Sequence, residues 1–232
     1  MSTVTVNRRT FLKSAAAAAV FPAIIPASAL GRDGNIAPSE RIVMASIGTG
    51  GQGKYDTRAL FSMPEVQYVA VCDVDQKHCA DAAAMINEYY AARAADGKYS
   101  GIQEYHDFRE VLARDDIDAV MIATPDHWHA VISVAAAKAG KDIYCEKPLA
   151  NSIPEGRAVV DAVRRYKRVF QTGSHERSRD NARYAAELVR NGRIGKLHTI
   201  RVQMPMDHFD NYGVTHPPMP VPEGFDYDFW LG

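Results

Sequence analysis

Two short polar clusters in this sequence carry side chains that could do acid–base chemistry, and each follows an apolar run of strand length. The first reads TPDHWH over residues 124–129, and the second reads CEKPLA over residues 145–150. Lys147 is the best candidate for a catalytic residue, because partial burial at the mouth of a cleft can lower the pKa of an amine until it exchanges a proton with an alcohol near neutral pH. Glu146 and Pro148 would fix the direction of this side chain. A solvated lysine at the end of a strand is the alternative.

A glycine-rich loop lies upstream of both clusters. Residues 42–47 form an apolar run of strand length, the loop follows as GTGGQG over residues 48–53, and a helical pattern comes next. Gly48 permits a tight turn, Gly50 lets the backbone approach a pyrophosphate, and Gly53 allows the helix and strand to pack closely. The unpaired amides at the start of the helix would then face phosphate groups. This strand–loop–helix order predicts a dinucleotide site.

Asp73 supports this prediction because it ends the next strand-like run, twenty residues after Gly53. In dinucleotide-binding folds a carboxylate at this place accepts hydrogen bonds from the adenosine ribose. An acid would repel a 2′-phosphate, and the three residues that follow Asp73 include neither Arg nor Lys. The sequence therefore favours NAD over NADP as the cofactor. The alternative is an ordinary turn aspartate after a strand.

The segment His127-Trp128-His129 could suggest a metal site or a stacking platform. The chain offers no third metal ligand within sequence reach of these histidines, and zinc sites need at least three protein ligands. We therefore predict no metal here and expect the start of a helix that packs beside a nicotinamide.

Composition and charge limit the classes of partner. The 232 residues carry a formal net charge of −1, so nothing favours binding to nucleic acid or to an anionic membrane. The cysteines are Cys72, Cys79 and Cys145. Their odd number, and the apolar runs around two of them, indicate small buried side chains and not a disulfide framework.

The elements that must position these residues alternate between strand-like and helical patterns. Helical patterns cover residues 76–95 and 129–139, and Asp107 begins a short helix with a D-x-x-E capping box. The strand-like runs cover residues 42–47, 66–75, 118–125, 141–148 and 169–173. This alternation predicts an α/β fold with a doubly wound parallel sheet, in which ligands bind outside the carboxyl ends of the strands.

Residues 1–29 have the pattern of a removable export signal. Arg8, Arg9 and Lys13 precede about a dozen apolar residues, and Ala27-Ser28-Ala29 forms an A-x-A end. A membrane anchor or a first hydrophobic helix are the alternatives, but a bilayer core needs about 20 apolar residues. The paired arginines resemble a twin-arginine signal, which implies export of the folded protein by the twin-arginine machinery to the periplasm or beyond.

The order of the glycine loop, the acid after the second strand, T-P-x-x-x-H and E-K-P resembles the glucose-fructose oxidoreductase and inositol dehydrogenase family, Gfo/Idh/MocA. The resemblance covers residues 40–232. It implies an NAD-binding Rossmann domain over residues 38–172, followed by the start of an open-faced α/β substrate domain over residues 173–232. It also implies an oxidoreductase that moves a hydride between nicotinamide and a sugar, cyclitol or related polyol, and a homo-oligomer at full length.

The resemblance assigns roles to individual residues. Lys147 would bond the reacting hydroxyl group, while Thr124, Pro125, His129 and Glu146 would lie along the cofactor, together with Gly48, Gly50, Gly53 and Asp73. The residues expected near the substrate are His175, Arg177 and Asn181, and His208 and His216 are further candidates.

Two other functions stay open. One is a lyase or glycosidase that oxidises its substrate transiently and regenerates NAD in place. The other is a dinucleotide-binding module without turnover, because the family's D-x-x-x-H segment does not occur after residue 175. Its absence favours a C-terminally truncated chain. We expect residues 197–204 to begin the sheet of the second domain, and we expect an exposed apolar patch around Trp230.

Overall fold

The computed structural model describes residues 36–92, 101–203 and 217–232. The predicted signal segment, residues 1–29, lies outside the described residues, as do His208 and His216. None of the helices in the described residues is long and apolar enough to cross a membrane.

The chain divides into two units, Met1–Arg41 and Ile42–Gly232. The described end of the first unit contains a short 3-10 turn, Pro38–Glu40. There the Arg41 guanidinium donates to the Ile36 carbonyl oxygen at 3.3 and 3.2 Å. The second unit holds every residue of the predicted site, and a domain boundary at residue 173 stays a prediction.

The second unit is built on a six-stranded sheet in the order β3-β2-β1-β4-β5-β6. Every strand pair in it is parallel. The strands are β1 (Ile42–Ile47), β2 (Val66–Cys72), β3 (Gln103–Tyr105), β4 (Ala119–Ile122), β5 (Asp142–Glu146) and β6 (Phe170–Gly173). This order is that of a doubly wound Rossmann sheet, with its switch point between β1 and β4. The predicted fold class is confirmed.

Seven α-helices belong to this unit in the described ranges. They are α1 (Gly51–Phe61), α2 (Gln76–Ala91), α3 (Phe108–Leu112), α4 (Asp126–Lys138), α5 (Ile153–Tyr166), α6 (Asp180–Arg190) and α7 (Tyr227–Leu231). A 3-10 turn, His175–Ser178, connects β6 with α6.

The sheet separates two apolar layers, because neighbouring side chains of a strand point to opposite faces. Met44 of β1 packs in one layer with Phe61 of α1 and Ile86 of α2. Ile47 of the same strand packs in the other layer, with Ile132 of α4. The three cysteines are buried and free, as predicted, and burial raises the pKa of the Cys145 thiol to about 11.

Side-chain caps fix several helix starts close to their predicted places. Asp75 accepts hydrogen bonds from the first turn of α2, Asp107 caps α3, and Ser152 caps α5. Gly192 follows α6 with φ +68°, where a left-handed residue ends a helix.

Two predicted helix boundaries need correction, and one strand was not predicted. Helix α4 begins at Asp126 and not at residue 129, since Pro125 supplies the extended residue before the first turn. Helix α2 ends at Ala91, short of the predicted residue 95. Strand β3 was missed, because its three residues are half-buried or exposed and show no apolar run.

The predicted strand over residues 197–204 is wrong for residues 197–203, which have no regular secondary structure. Among the described residues the sheet contains no strand that pairs with this segment, so its backbone lacks ladder hydrogen bonds. The apolar side chains Ile200 and Val202 are 73% and 82% exposed.

Candidate active site

The glycine loop joins the ends of β1 and β4 by close backbone contact. Gly48 has φ +85°, and a Cβ there would lie 2.6 Å from the Ala123 carbonyl carbon and from the Thr124 nitrogen. A Cβ at Gly53 would lie 2.1 Å from the Gly48 carbonyl oxygen. These two positions therefore admit only glycine without a shift of the backbone.

Gly50 has a different environment, because it faces open space. A Cβ there would meet only the His78 ring, at 3.8 Å and beyond. Gly50 is also the N-cap residue of α1, and no side chain caps this helix. The amides at the start of α1 are thus available to an anion, and the loop fits the diphosphate of a dinucleotide.

Asp73 lies directly beside the loop, at the carboxyl end of β2. Its Oδ2 accepts hydrogen bonds from the Thr49 backbone nitrogen at 2.6 Å and from Thr49 Oγ1 at 3.1 Å. Its Oδ1 accepts one from the Asp75 nitrogen at 2.9 Å. Backbone donors thereby hold the carboxylate at the place where a ribose is expected.

A cavity of about 680 Å³ opens beside Asp73. It is lined by the predicted cofactor residues Gly48, Gly50, Asp73, Thr124 and Pro125, and also by Phe108, Trp128, Phe225, Phe229 and Trp230. The buried Thr124 hydroxyl has no hydrogen-bond partner in the described part of the chain, which leaves it able to bond a ligand.

His129 joins the two polar clusters that the sequence singled out. It is 1% exposed, and its Nδ1 contacts the Pro148 carbonyl oxygen at 2.6 Å while Nε2 contacts the Thr124 carbonyl oxygen at 2.8 Å. Both partners are carbonyl oxygens, which only accept hydrogen bonds, so the ring donates from a nitrogen that carries a proton. His129 thus links the T-P segment to the E-K-P segment.

A second cavity, of about 360 Å³, is lined by Gln52 of the glycine loop. Its lining includes Lys147 and the predicted substrate residues His175 and Arg177. Lys147 is exposed at this cavity, directly after β5. Asn181 is exposed on α6 and lines neither cavity.

Three titratable side chains, Asp56, Glu146 and His175, lie close together, and Glu146 directly precedes Lys147 in the chain. One carboxylate oxygen or imidazole nitrogen from each lies within 4.8 Å of the others. His175 Nε2 is hydrogen bonded to Glu146 Oε1, and Asp56 Oδ1 accepts from Gln52 at 2.9 Å. Burial, together with the negative charge of Glu146, raises the pKa of Asp56 to about 6.

The remaining carboxylate oxygens of this trio, Asp56 Oδ2 and Glu146 Oε2, are buried and have no partner in the described ranges. A proton on Asp56 can bridge them and satisfy both oxygens. Glu146, the residue before Lys147, is thus held by its contacts with His175 and Asp56. Sequence reasoning missed Asp56, although an acid in the first turns after a glycine loop, next to Thr57, was a possible signal.

A protein-family model matches residues 42–174 of this geometry, and its family is described as an oxidoreductase family with an NAD-binding Rossmann fold, GFO_IDH_MocA. The chain belongs to this family. The match spans the glycine loop, Asp73 and both polar clusters. It therefore includes the cavity lining between residues 47 and 132, and NAD is the cofactor that this fold binds.

Curated relatives of this GFO_IDH_MocA chain include two dehydrogenases and a glycosyl hydrolase family 109 protein. Levoglucosan dehydrogenase of Pseudarthrobacter phenanthrenivorans is 36% identical over 67% of this chain and 38% of its own length. Inositol 2-dehydrogenase of Rubrobacter xylanophilus is 32% identical over 68% of this chain and 42% of its own length. A glycosyl hydrolase family 109 protein of Shewanella baltica is 30% identical over 88% of this chain and 49% of its own length. The chain spans less than half the length of these relatives.

Solved structures show the same fold. Myo-inositol 2-dehydrogenase from Lactobacillus plantarum has 27% identity and a TM-score of 0.55, covering 67% of this chain and 43% of its own. Scyllo-inositol dehydrogenase from Lactobacillus casei, with bound NAD(H) and scyllo-inositol, has 25% identity and a TM-score of 0.57, with the same coverage of 67% and 43%.

Proposed function

We propose that this chain is the cofactor-binding part of an NAD-dependent oxidoreductase that transfers a hydride between nicotinamide and the hydroxyl-bearing carbon of a sugar, cyclitol or related polyol. One observation carries the proposal. Both cavities are lined by residues of the same glycine loop, with Gly48 and Gly50 in the first cavity and Gln52 in the second. Asp73 and Lys147, which follow the carboxyl ends of β2 and β5, line the first and the second cavity respectively. A dinucleotide across the switch point between β1 and β4 would reach both.

Each residue has a defined task in this proposal. The amides at the start of α1 bind the diphosphate, and Asp73 binds the adenosine ribose. Lys147 binds the substrate hydroxyl and takes up its proton as the carbon is oxidised. His129 keeps the segment after β4 fixed against the segment after β5. NAD, when bound, supplies the acceptor for the hydride.

Several relatives support a polyol substrate, since their names refer to levoglucosan and inositols. Arg177 at the second cavity suits a hydroxylated ligand, because a guanidinium presents several donors in one plane. We also propose that turnover needs the part of the relatives' length that this chain does not span.

A glycosidase with transient oxidation is the second candidate. The relatives named glycosyl hydrolase family 109 proteins align with 88% of the chain, whereas the two dehydrogenases align with 67% and 68%. In that case NAD would be regenerated in place and no NADH would accumulate.

The test compares the two reactions directly. A polypeptide that contains this chain and has the length of the relatives is incubated with NAD and a panel of cyclitols, sugars and glycosides. Accumulating NADH supports the oxidoreductase, whereas product without NADH supports the glycosidase. Lys147→Met should abolish either reaction, and Lys138→Met, on the exposed end of α4, is the matched control. Binding of NAD without any turnover would contradict both reactions and support a dinucleotide-binding module.

We further propose that residues 1–29 direct export by the twin-arginine machinery to the periplasm, and that the full-length protein is a homo-oligomer. The paired arginines and the A-x-A end support export. Replacement of Arg8 and Arg9 by Lys should stop export, and mature protein should begin after Ala29. Periplasmic protein that retains Met1 would contradict this.

A further inference from the structure

The last described stretch, residues 217–232, forms one wall of the first cavity. This C-terminal segment follows residues 204–216, which are not described, and lies beyond the family match, which ends at residue 174. Phe225, Phe229 and Trp230 line the cavity opposite the glycine loop. The segment therefore brings aromatic side chains to a site that is otherwise built from residues 47–132.

Backbone hydrogen bonds fix this C-terminal segment to the loop that follows β2. The Gln76 nitrogen donates to the Gly224 carbonyl oxygen at 2.9 Å, and the Asp226 nitrogen donates to the Val74 carbonyl oxygen at 3.0 Å. Phe225 forms an antiparallel bridge with Asp75. These contacts place Phe225 beside Asp75, two positions after Asp73, and both Phe225 and Asp73 line the cavity.

A second set of contacts holds the far end of the segment against α4. The Trp230 carbonyl oxygen lies 2.9 Å from His127 Nε2 and accepts from Trp128 Nε1 at 3.0 Å. The Phe229 ring packs on the edge of Trp128, with centroids 5.5 Å apart and planes at 84°. Asp226 also bonds the His106 ring at 2.9 Å. The wall is thus anchored at both ends.

The position of Asp73 shows which half of a dinucleotide this cavity would hold. Asp73, at the end of β2, is the ribose-binding carboxylate of the adenosine half. Lys147 and the second cavity lie at the ends of β5 and β6. We therefore assign the first cavity to the adenine. Its lining is mostly apolar and aromatic, and flat aromatic faces stack on bases.

We infer that the C-terminal segment completes the adenosine subsite, with the Phe225 and Trp230 side chains covering the adenine of NAD. This inference rests on the NAD binding proposed above. The energy of this contact would come from stacking and from exclusion of water, and it would be independent of the nicotinamide half.

The test measures binding of NAD and of AMP to the 232-residue chain by calorimetry. Phe225→Ala should raise the Kd of AMP and of NAD by the same factor, about 5- to 100-fold, as expected for the loss of one base-stacking contact. The matched control is Tyr184→Ala, because Tyr184 is an exposed aromatic side chain on α6 that lines neither cavity. This variant should change neither Kd by more than about twofold.

A second measurement covers the case in which Phe225→Ala does not fold. In the wild-type chain, AMP should slow amide hydrogen exchange at Gly224–Trp230, and nicotinamide mononucleotide should not, because it lacks adenosine. Equal Kd changes in the two variants, or no protection by AMP, would overturn the inference while NAD binding stands. Failure of the chain to bind either NAD or AMP would overturn both proposals.

Discussion

At the scale of single residues, the sequence predicts candidate reactive positions, but not the side-chain contacts that hold them in place. Lys147 and Asp73 each follow a strand-like run, so the rule for parallel sheets places them at one edge. Asp56 lies on a helix 90 positions before Glu146, and only the fold brings their carboxylates together. The same holds for His129, whose two carbonyl partners belong to different loops.

The raised pKa of Asp56, about 6 against an ordinary 3.8, predicts a pH-dependent stability. Between these values the native state binds a proton that the unfolded state has lost, so the free energy of unfolding should fall as pH rises from about 4 to 7. After allowance for solvent screening, we expect a fall of about 1 to 2 kcal/mol that Asp56→Asn removes.

Urea unfolding at several pH values measures this difference. Asp161→Asn, which alters an exposed acid on α5, should keep the pH dependence of the wild type. If the free energy of unfolding depends on pH in the same way in the wild type and in Asp56→Asn, Asp56 holds no proton in the folded chain.

At the scale of elements, apolar runs predicted the long buried strands, because a strand covered on both faces shows as a continuous apolar run. Residues 42–47 coincide with β1. The edge strand β3 has three residues and no such run. Conversely, residues 197–203 have the apolar pattern of a strand but no neighbouring strand in the described part of the chain, so pattern alone was insufficient there.

The contact between the loop and α1 predicts unequal effects of two glycine substitutions. Gly53→Ala would place its Cβ 2.1 Å from the Gly48 carbonyl oxygen, whereas a Cβ at Gly51 meets nothing within 4 Å. We expect Gly53→Ala to lower the free energy of unfolding by about 1 to 3 kcal/mol and to weaken NAD binding. Gly51→Ala, in the same helix, should have little effect on the free energy of unfolding or on NAD binding. Thermal unfolding and NAD titration of both variants provide the comparison, and equal behaviour would argue against close packing of the loop.

At the scale of the whole molecule, the expected exposed patch around Trp230 is found only in part, since Tyr227 and Leu231 are exposed. Trp230 is half-buried, and its segment packs on α4 and on the loop after β2. The sequence alone did not show which elements residues 225–230 contact, because their contacts with residues 74–128 depend on the assembled sheet. The aromatic side chains thus belong to the same unit as the glycine loop.

Titration of NAD and NADP into the wild-type chain and into Asp73→Ala measures whether the adenosine ribose of NAD binds at Asp73. Loss of the carboxylate should weaken NAD binding by about 1 to 3 kcal/mol, the usual contribution of a hydrogen bond to a charged group. It should also narrow the preference for NAD over NADP, because the repulsion of the 2′-phosphate disappears. Unchanged affinities for both nucleotides would contradict the account.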